Sequence, residues 1–369
     1  MKIGVVDILY FFTAFQLLLF SFFLLNLKKG KRLSNLILSV FFFSKVFGII
    51  NYLILRFEIK NPHIYFILLP FIFFYGPSLY FYTRSLAYRD FNFKKVHAFH
   101  LIPFILANIY FIVVYHTQSL TERIGILTGL RERVPVQGIL IISLFHILVL
   151  CYLAASFFIL LNYKKQLKTI FSSMAKINLS WLNYILFGFS LIWIIDVSSF
   201  ILGRLSVPHS FLDVPVLILI FIFANIIVYK GLKQPEIFNG IEEKQKYMHS
   251  RLTQADKDRY LKRLRSYMLE EKPYLNPLLT INKLGRAISI PPRDLSQIIN
   301  EELGQNFYDF VNRFRVEEAK RYLTDPSNRT NNILDILLDV GFNTKSVFNR
   351  VFKKQTGLTP SEFKKSNKD

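Results

Sequence analysis

"NNILDILLDVGFNTKSVFNRVFKKQTGLTPSEF", residues 331 to 363, is where one end of this chain declares its fold. Ile333, Ile336, Leu337 and Val340 recur at i, i+3, i+4 and i+7, which is one face of a helix. Gly341 permits a sharp turn, and Phe348, Val351 and Phe352 then make a second apolar stripe. Lys345, Ser346, Asn349, Arg350 and Lys353 are left facing solvent. They carry donors of the kind that read base edges or grip phosphates. The spacing predicts a helix-turn-helix unit over 331–354.

The same plan occurs upstream in "TINKLGRAISIPPRDLSQIIN", residues 280 to 300. Thr280 can cap a short helix carrying Ile281, Leu284 and Ile288, and Pro291 and Pro292 break it and pre-set the first turn of the next. There Leu295, Ile298 and Ile299 share one face, so Arg293, Ser296, Gln297 and Asn300 point away. Between the units, Phe307 to Leu323 keeps helical period for roughly 26 Å at 1.5 Å per residue. Such a rod could set two recognition helices about one DNA turn, roughly 34 Å, apart. Upstream again, Thr253 followed by Asp256 resembles a capping box opening an amphipathic helix. A face bearing lysines is ordinarily only a solvated face; two units separated by such a rod point to double-stranded DNA.

Residues 253–366 resemble the DNA-binding domain of the AraC/XylS family of bacterial transcription regulators. The resemblance is carried by "DLSQIINEELGQNFYDFVNRFRVEEAKRYL" at 294–323 and by Gly341, Phe342, Ser346, Phe348, Arg350, Phe352, Lys353, Gly357, Thr359, Pro360 and Phe363. It implies a seven-helix bipartite fold whose two recognition helices enter successive major grooves. It also implies base contacts at Arg293, Ser296 and Gln297 in the first unit and at Lys345, Ser346 and Asn349 in the second. Arg350 matches a residue that holds the backbone or a base, and the face reading alone adds Asn300. Two positions depart from the family pattern: Leu337 stands where a small residue is usual, and Val347 where a small polar one is. A bulkier Leu337 is expected either to be absorbed by repacking or to tilt the second recognition helix.

The rest of the chain is of another kind. Hydrophobic residues make up 52% of the sequence and Phe occurs 39 times, with the apolar excess lying before Tyr229. Seven runs, near 5–27, 33–55, 62–83, 96–115, 138–161, 182–203 and 213–229, are long enough to cross a hydrocarbon core of roughly 30 Å as helices. The first reads as a retained span, since Asp7 precedes the run, no small-residue cleavage site follows, and Lys28, Lys29, Lys31 and Arg32 stop it.

Alternate loops differ in basic residues. One set holds Lys28, Lys29, Lys31, Arg32, Arg84, Arg89, Lys94, Lys95, Lys164, Lys165, Lys168 and Lys176; the poorer set holds Lys2, Arg56, Lys60, Arg123, Arg131, Arg133 and Arg204. The positive-inside rule puts the richer set in the cytoplasm, the N-terminus outside and everything after Tyr229 inside. The longest outside loop, about 116–137, is too short for a folded sensor domain. "FFYGPSLYFYTRSL" at 73–86 and "HAFHLIPFIL" at 97–106 also resemble the multi-span N-terminal region of membrane-embedded regulators of this class.

Few residues invite other chemistry. Lys45 and Asp196 lie within apolar runs, where an ionised group costs roughly 2.5 to 3.5 kcal/mol or more, so they could pair or form an intramembrane signal site; Lys45 could equally snorkel. His97 and His100 share a helix face, and His146 lies in a later run, but no third ligand at helical spacing suggests a metal. The single cysteine, Cys151, excludes an internal disulfide, and no nucleophile elbow or phosphate loop occurs.

The sequence thus predicts an all-α protein. Its expected parts are a seven-helix transmembrane domain over 1–229, a linker over 230–252, and a cytoplasmic AraC-type bipartite helix-turn-helix domain over 253–369. It reads as a DNA-binding transcription regulator in a bacterial cytoplasmic membrane, with no enzymatic reaction and no cofactor. Its candidate partners are double-stranded DNA, the membrane, a second copy as a homodimer, and a small-molecule or membrane signal. The competing reading is a membrane transporter or enzyme whose helix-turn-helix-derived domain contacts protein.

Overall fold

The computed structural model describes residues 3–28, 30–57, 61–132, 135–174, 179–208, 210–232, 252–325 and 332–366. Among them the regular elements are all helices; strand-like features are confined to isolated bridge positions, an antiparallel one between Phe171 and Thr280 and another at Tyr88. The expected linker falls outside the described residues from 233 to 251, as do Lys2, Lys29, Lys60, Arg133 and Lys176 of the loop count. By packing, the chain divides into two compact units: 1–161 with 179–243, and 162–178 with 244–369.

The first unit holds α1 (Val5–Asn26), α2 (Arg32–Arg56), α3 (Tyr75–Ala87), α4 (Ile102–Phe111), α5 (Leu120–Glu132), most of α6 (Val136–Ile170), α7 (Ser180–Arg204) and α8 (Asp213–Leu232). Seven segments here are long and apolar enough to cross a membrane. Two of them are not continuous α-helices. Pro62 and Pro70 open 3-10 turns at Pro62–Ile64 and Leu69–Phe74 before α3, because a proline removes the amide an α-helix needs and suits a first turn. Likewise a 3-10 stretch, Lys95–Leu101, precedes α4, and a π-turn, Ile112–His116, comes after it. Helix α5 lies in a stretch that the sequence showed only as a loop.

Two polar contacts tie elements of this unit together, while Gln16 Oε1, His146 Nδ1 and Trp193 Nε1 are buried without a hydrogen-bond partner among the described residues. Lys31 donates to the carbonyls of Ser85, Tyr88 and Arg89 at the end of α3, where a helix presents unpaired carbonyls. Asp7 pairs with Arg56 at 3.5 Å, linking the start of α1 to the end of α2.

The second unit contains α9 (Gln254–Glu270), α10 (Ile281–Ala287), α11 (Pro292–Glu301), α12 (Phe307–Thr324), α13 (Ile333–Asp339), α14 (Lys345–Thr356) and α15 (Pro360–Ser366). Helix α12 is its spine. Phe307, Phe310 and Val311 enter one core with Leu284, Leu295 and Ile299, while Tyr308, Val316, Ala319 and Leu323 enter a second with Ile336, Phe348 and Phe352. Two helix-turn-helix halves therefore hang from one helix.

Candidate nucleic-acid interface

Each half is built by the local signals its sequence carries. Thr280 caps α10 by accepting from the Lys283 amide, and α11 starts at Pro292. In the second half Gly341 makes the turn at φ +86°, a conformation that disfavours any side chain. A Cβ there would also meet the carbonyl oxygens of Leu275 and Tyr274 at 2.7 Å. Thr344 then caps α14 by accepting from the Val347 amide.

The tail after α14 is explained just as locally. Gly357, at φ +81°, ends the helix with its amide on the Lys353 carbonyl. Thr359 and Glu362 then cap α15 reciprocally, amide to carboxylate at 2.7 Å and amide to hydroxyl at 3.3 Å. Those hydrogen bonds hold the Glu362 carboxyl below the usual carboxylate range. Phe363 packs on the second core, 5.4 Å from the Phe352 ring centre.

The candidate recognition faces lie on α14 and α11. On α14, Lys345, Ser346, Arg350 and Lys353 are exposed and Asn349 is half-buried, while Phe348, Val351 and Phe352 are buried. On α11, Arg293 is exposed and Gln297 is half-buried. Ser296, by contrast, is only 8% exposed, and the Asn300 amide donates back to its carbonyl at 2.8 Å. The Gln297 amide donates to Glu301 at 3.1 Å. At the two departures from the family pattern, Leu337 is fully buried in the second core and Val347 packs against the same core.

Arg350 also lines a crevice of about 730 Å³ that sequence reading did not anticipate. Its basic lining adds Arg313 and Lys354, and also Lys164 and Lys168 from the last turns of α6.

In the first unit Lys45 and Asp196 line one small cavity together with Tyr75. The Lys45 ammonium sits 3.9 Å from the Tyr75 ring centre, a cation–π contact. Of the three candidate histidines, His97 accepts at Nδ1 from the Lys94 amide, and His100 Nδ1 lies 2.5 Å from the Tyr152 hydroxyl. Among the described residues no group of three or more His, Cys, Asp or Glu is placed to hold a metal.

Two capped helix pairs on one spine, each presenting a polar helix face, define a bipartite helix-turn-helix domain of the AraC type at the C-terminal end. Residues 284–366 match the family HTH_18, "Helix-turn-helix domain". The transcriptional regulatory protein YesN of Bacillus subtilis (strain 168) is 33% identical over 92 residues, which is 24% of this chain and 24% of that protein. The HTH-type transcriptional regulator SACOL0084 of Staphylococcus aureus (strain COL) is 34% identical over 86 residues, 23% of this chain and 11% of that protein. The match thus spans a quarter or less of the relatives' own length. Among solved structures, the C-terminal domain of AraT, a response regulator from Geobacillus stearothermophilus, aligns at 28% identity over 32% of this chain and 88% of that one, with a TM-score of 0.26.

Proposed function

We propose that this protein is a membrane-embedded, sequence-specific DNA-binding transcription regulator of the bacterial cytoplasmic membrane. The observation that carries the proposal is the presence, in one chain, of seven membrane-length apolar helices and a C-terminal bipartite helix-turn-helix domain. The N-terminus lies outside, and the basic loops and the DNA-reading unit lie in the cytoplasm, where the DNA is.

Helix α14 reads through Lys345, Ser346 and Asn349, with Arg350 and Lys353 gripping backbone or base. Helix α11 reads through Arg293, Ser296, Gln297 and Asn300. There the two amides exchange their bonds along the helix for base edges, since each already donates to a replaceable acceptor. A signal acts on the bundle, with the Lys45–Asp196 cavity as its site, by binding two bundle states unequally.

The test is selection of double-stranded DNA from a random pool by the full chain in lipid nanodiscs. Enrichment of a two-part site with halves about one helical turn apart is expected. A pool unchanged after repeated rounds would show that the domain serves some other contact.

A further inference from the structure

Helix α6 is 35 residues long, roughly 52 Å at 1.5 Å per residue, against roughly 30 Å of hydrocarbon. It ends beyond its apolar stretch, and its last residue and the four after it pack into the DNA-reading unit. Ile170 lies against the first core and Met174 against the second. Between them Ser172, 1% exposed, has every polar group engaged. Its amide and hydroxyl both donate to the Leu279 carbonyl, at 3.2 and 2.7 Å, one residue before the cap of α10. Asn343, one residue before the cap of α14, donates to the Ser173 hydroxyl at 3.0 Å.

The other side of this contact is Arg315 on α12, also 1% exposed. A guanidinium has five N–H donors. Here Nε donates to the Tyr274 carbonyl at 2.7 Å, Nη1 to Asn312 Oδ1 at 3.2 Å and to the Ser172 carbonyl at 3.0 Å, and Nη2 to the Asn276 carbonyl at 2.9 Å and to the Ser172 hydroxyl at 3.1 Å. Two of the five acceptors are therefore supplied by Ser172. Without that residue a buried cation would keep two donors unmet, which is expensive in an interior. Burial pulls the Arg315 guanidinium down to about 10, so it remains protonated at neutral pH.

We infer that the surface spanning the two helix-turn-helix halves is a docking site whose partner is the chain's own segment 170–174, and that this docking fixes one recognition helix relative to the other. The inference rests on the DNA-regulator reading. It makes α6 the route from bundle to DNA: a shift of α6 changes how firmly 170–174 is seated, and with it the spacing the two helices can span. Holding two half-site readers at one separation raises affinity for that spacing at the expense of others.

Spacing discrimination tests this, because simple loss of stability would weaken all operators alike. The full chain in nanodiscs is titrated with its selected operator and with the same operator carrying one extra base pair between halves. Wild type is expected to discriminate by about tenfold or more, and the Ser172→Ala/Met174→Asp variant by about threefold or less. A Ser173→Cys/Asn343→Cys pair, oxidised in native membranes, is expected to cross-link within one chain and to retain full discrimination.

Unchanged discrimination in the undocked variant, or a pair that never cross-links in a chain that binds DNA, would overturn the docking inference while leaving the regulator reading standing. Wild type that binds no operator would remove that reading and this one with it.

Discussion

Single residues here carry opposite kinds of demand. Gly341 answers a steric one: its positive φ and the two carbonyl oxygens at 2.7 Å leave no room for a methyl group. Gly341→Ala is expected to cost about 2 to 4 kcal/mol, read as a lowered denaturation midpoint, through left-handed strain and overpacking together. Arg293 and Lys345, the proposed base readers, are exposed and belong to neither core. Alanine at either is expected to leave that midpoint unchanged and to weaken binding to the selected site by about 1 to 3 kcal/mol, with relaxed preference at the contacted base. Periodicity alone made both faces legible, since the apolar residues of α11 and α14 are buried as spaced. It did not make legible that Ser296 is shielded or that Asn300 folds back onto it. Helical spacing assigns a residue to a face but says nothing of the bonds its side chain makes along that face.

At the scale of elements, the caps were the clearest signals, because each is a short-range rule with a fixed offset. Thr253 and Thr280, read as caps in the sequence, each accept from the amide three residues on, and Thr344, which sequence reading did not single out, does the same. Thr344→Ala is expected to cost about 0.5 to 2 kcal/mol and to fray the turn that carries Lys345 and Ser346, so that operator affinity falls along with stability. The carboxyls of Asp256 and Glu362 are held low chiefly by their bonds to Thr253 and Thr359. A depressed carboxyl contributes stability above its unfolded value and loses it as pH falls through the folded one. Thermal melting of the full chain is therefore expected to weaken below the ordinary carboxylate range, and less so in a Thr253→Val/Thr359→Val variant.

No local rule could reveal the seat of 170–174. Its bonds to Arg315 join residues 143 apart in sequence, and Ser172, Ser173 and Met174 read on their own as one more cytoplasmic loop. The 3-10 and π interruptions of the third and fourth apolar runs escaped a window that measures only hydropathy.

Across the whole molecule, one chain carries segments suited to two solvents. Seven helices suit hydrocarbon, while α9 to α15 suit water and a polyanion; the charge of +21 divides into 20 basic minus 7 acidic residues (+13) up to Tyr229 and 26 minus 18 (+8) after it. The orientation proposed above rests on the positive-inside rule. Cysteines introduced one at a time in a Cys151→Ser background should therefore label from outside intact cells at Arg123 and not at Lys94 or Lys364; the reverse pattern would invert the topology. The central claim, that this membrane chain reads DNA sequence, is met most directly by titrating the full chain in nanodiscs with its selected operator and with scrambled DNA at one stated salt concentration. A preference for the operator of about a thousandfold or more, lowered by Arg293→Ala and by Lys345→Ala, is the predicted result. Equal binding to both DNAs, unmoved by either substitution, would contradict it.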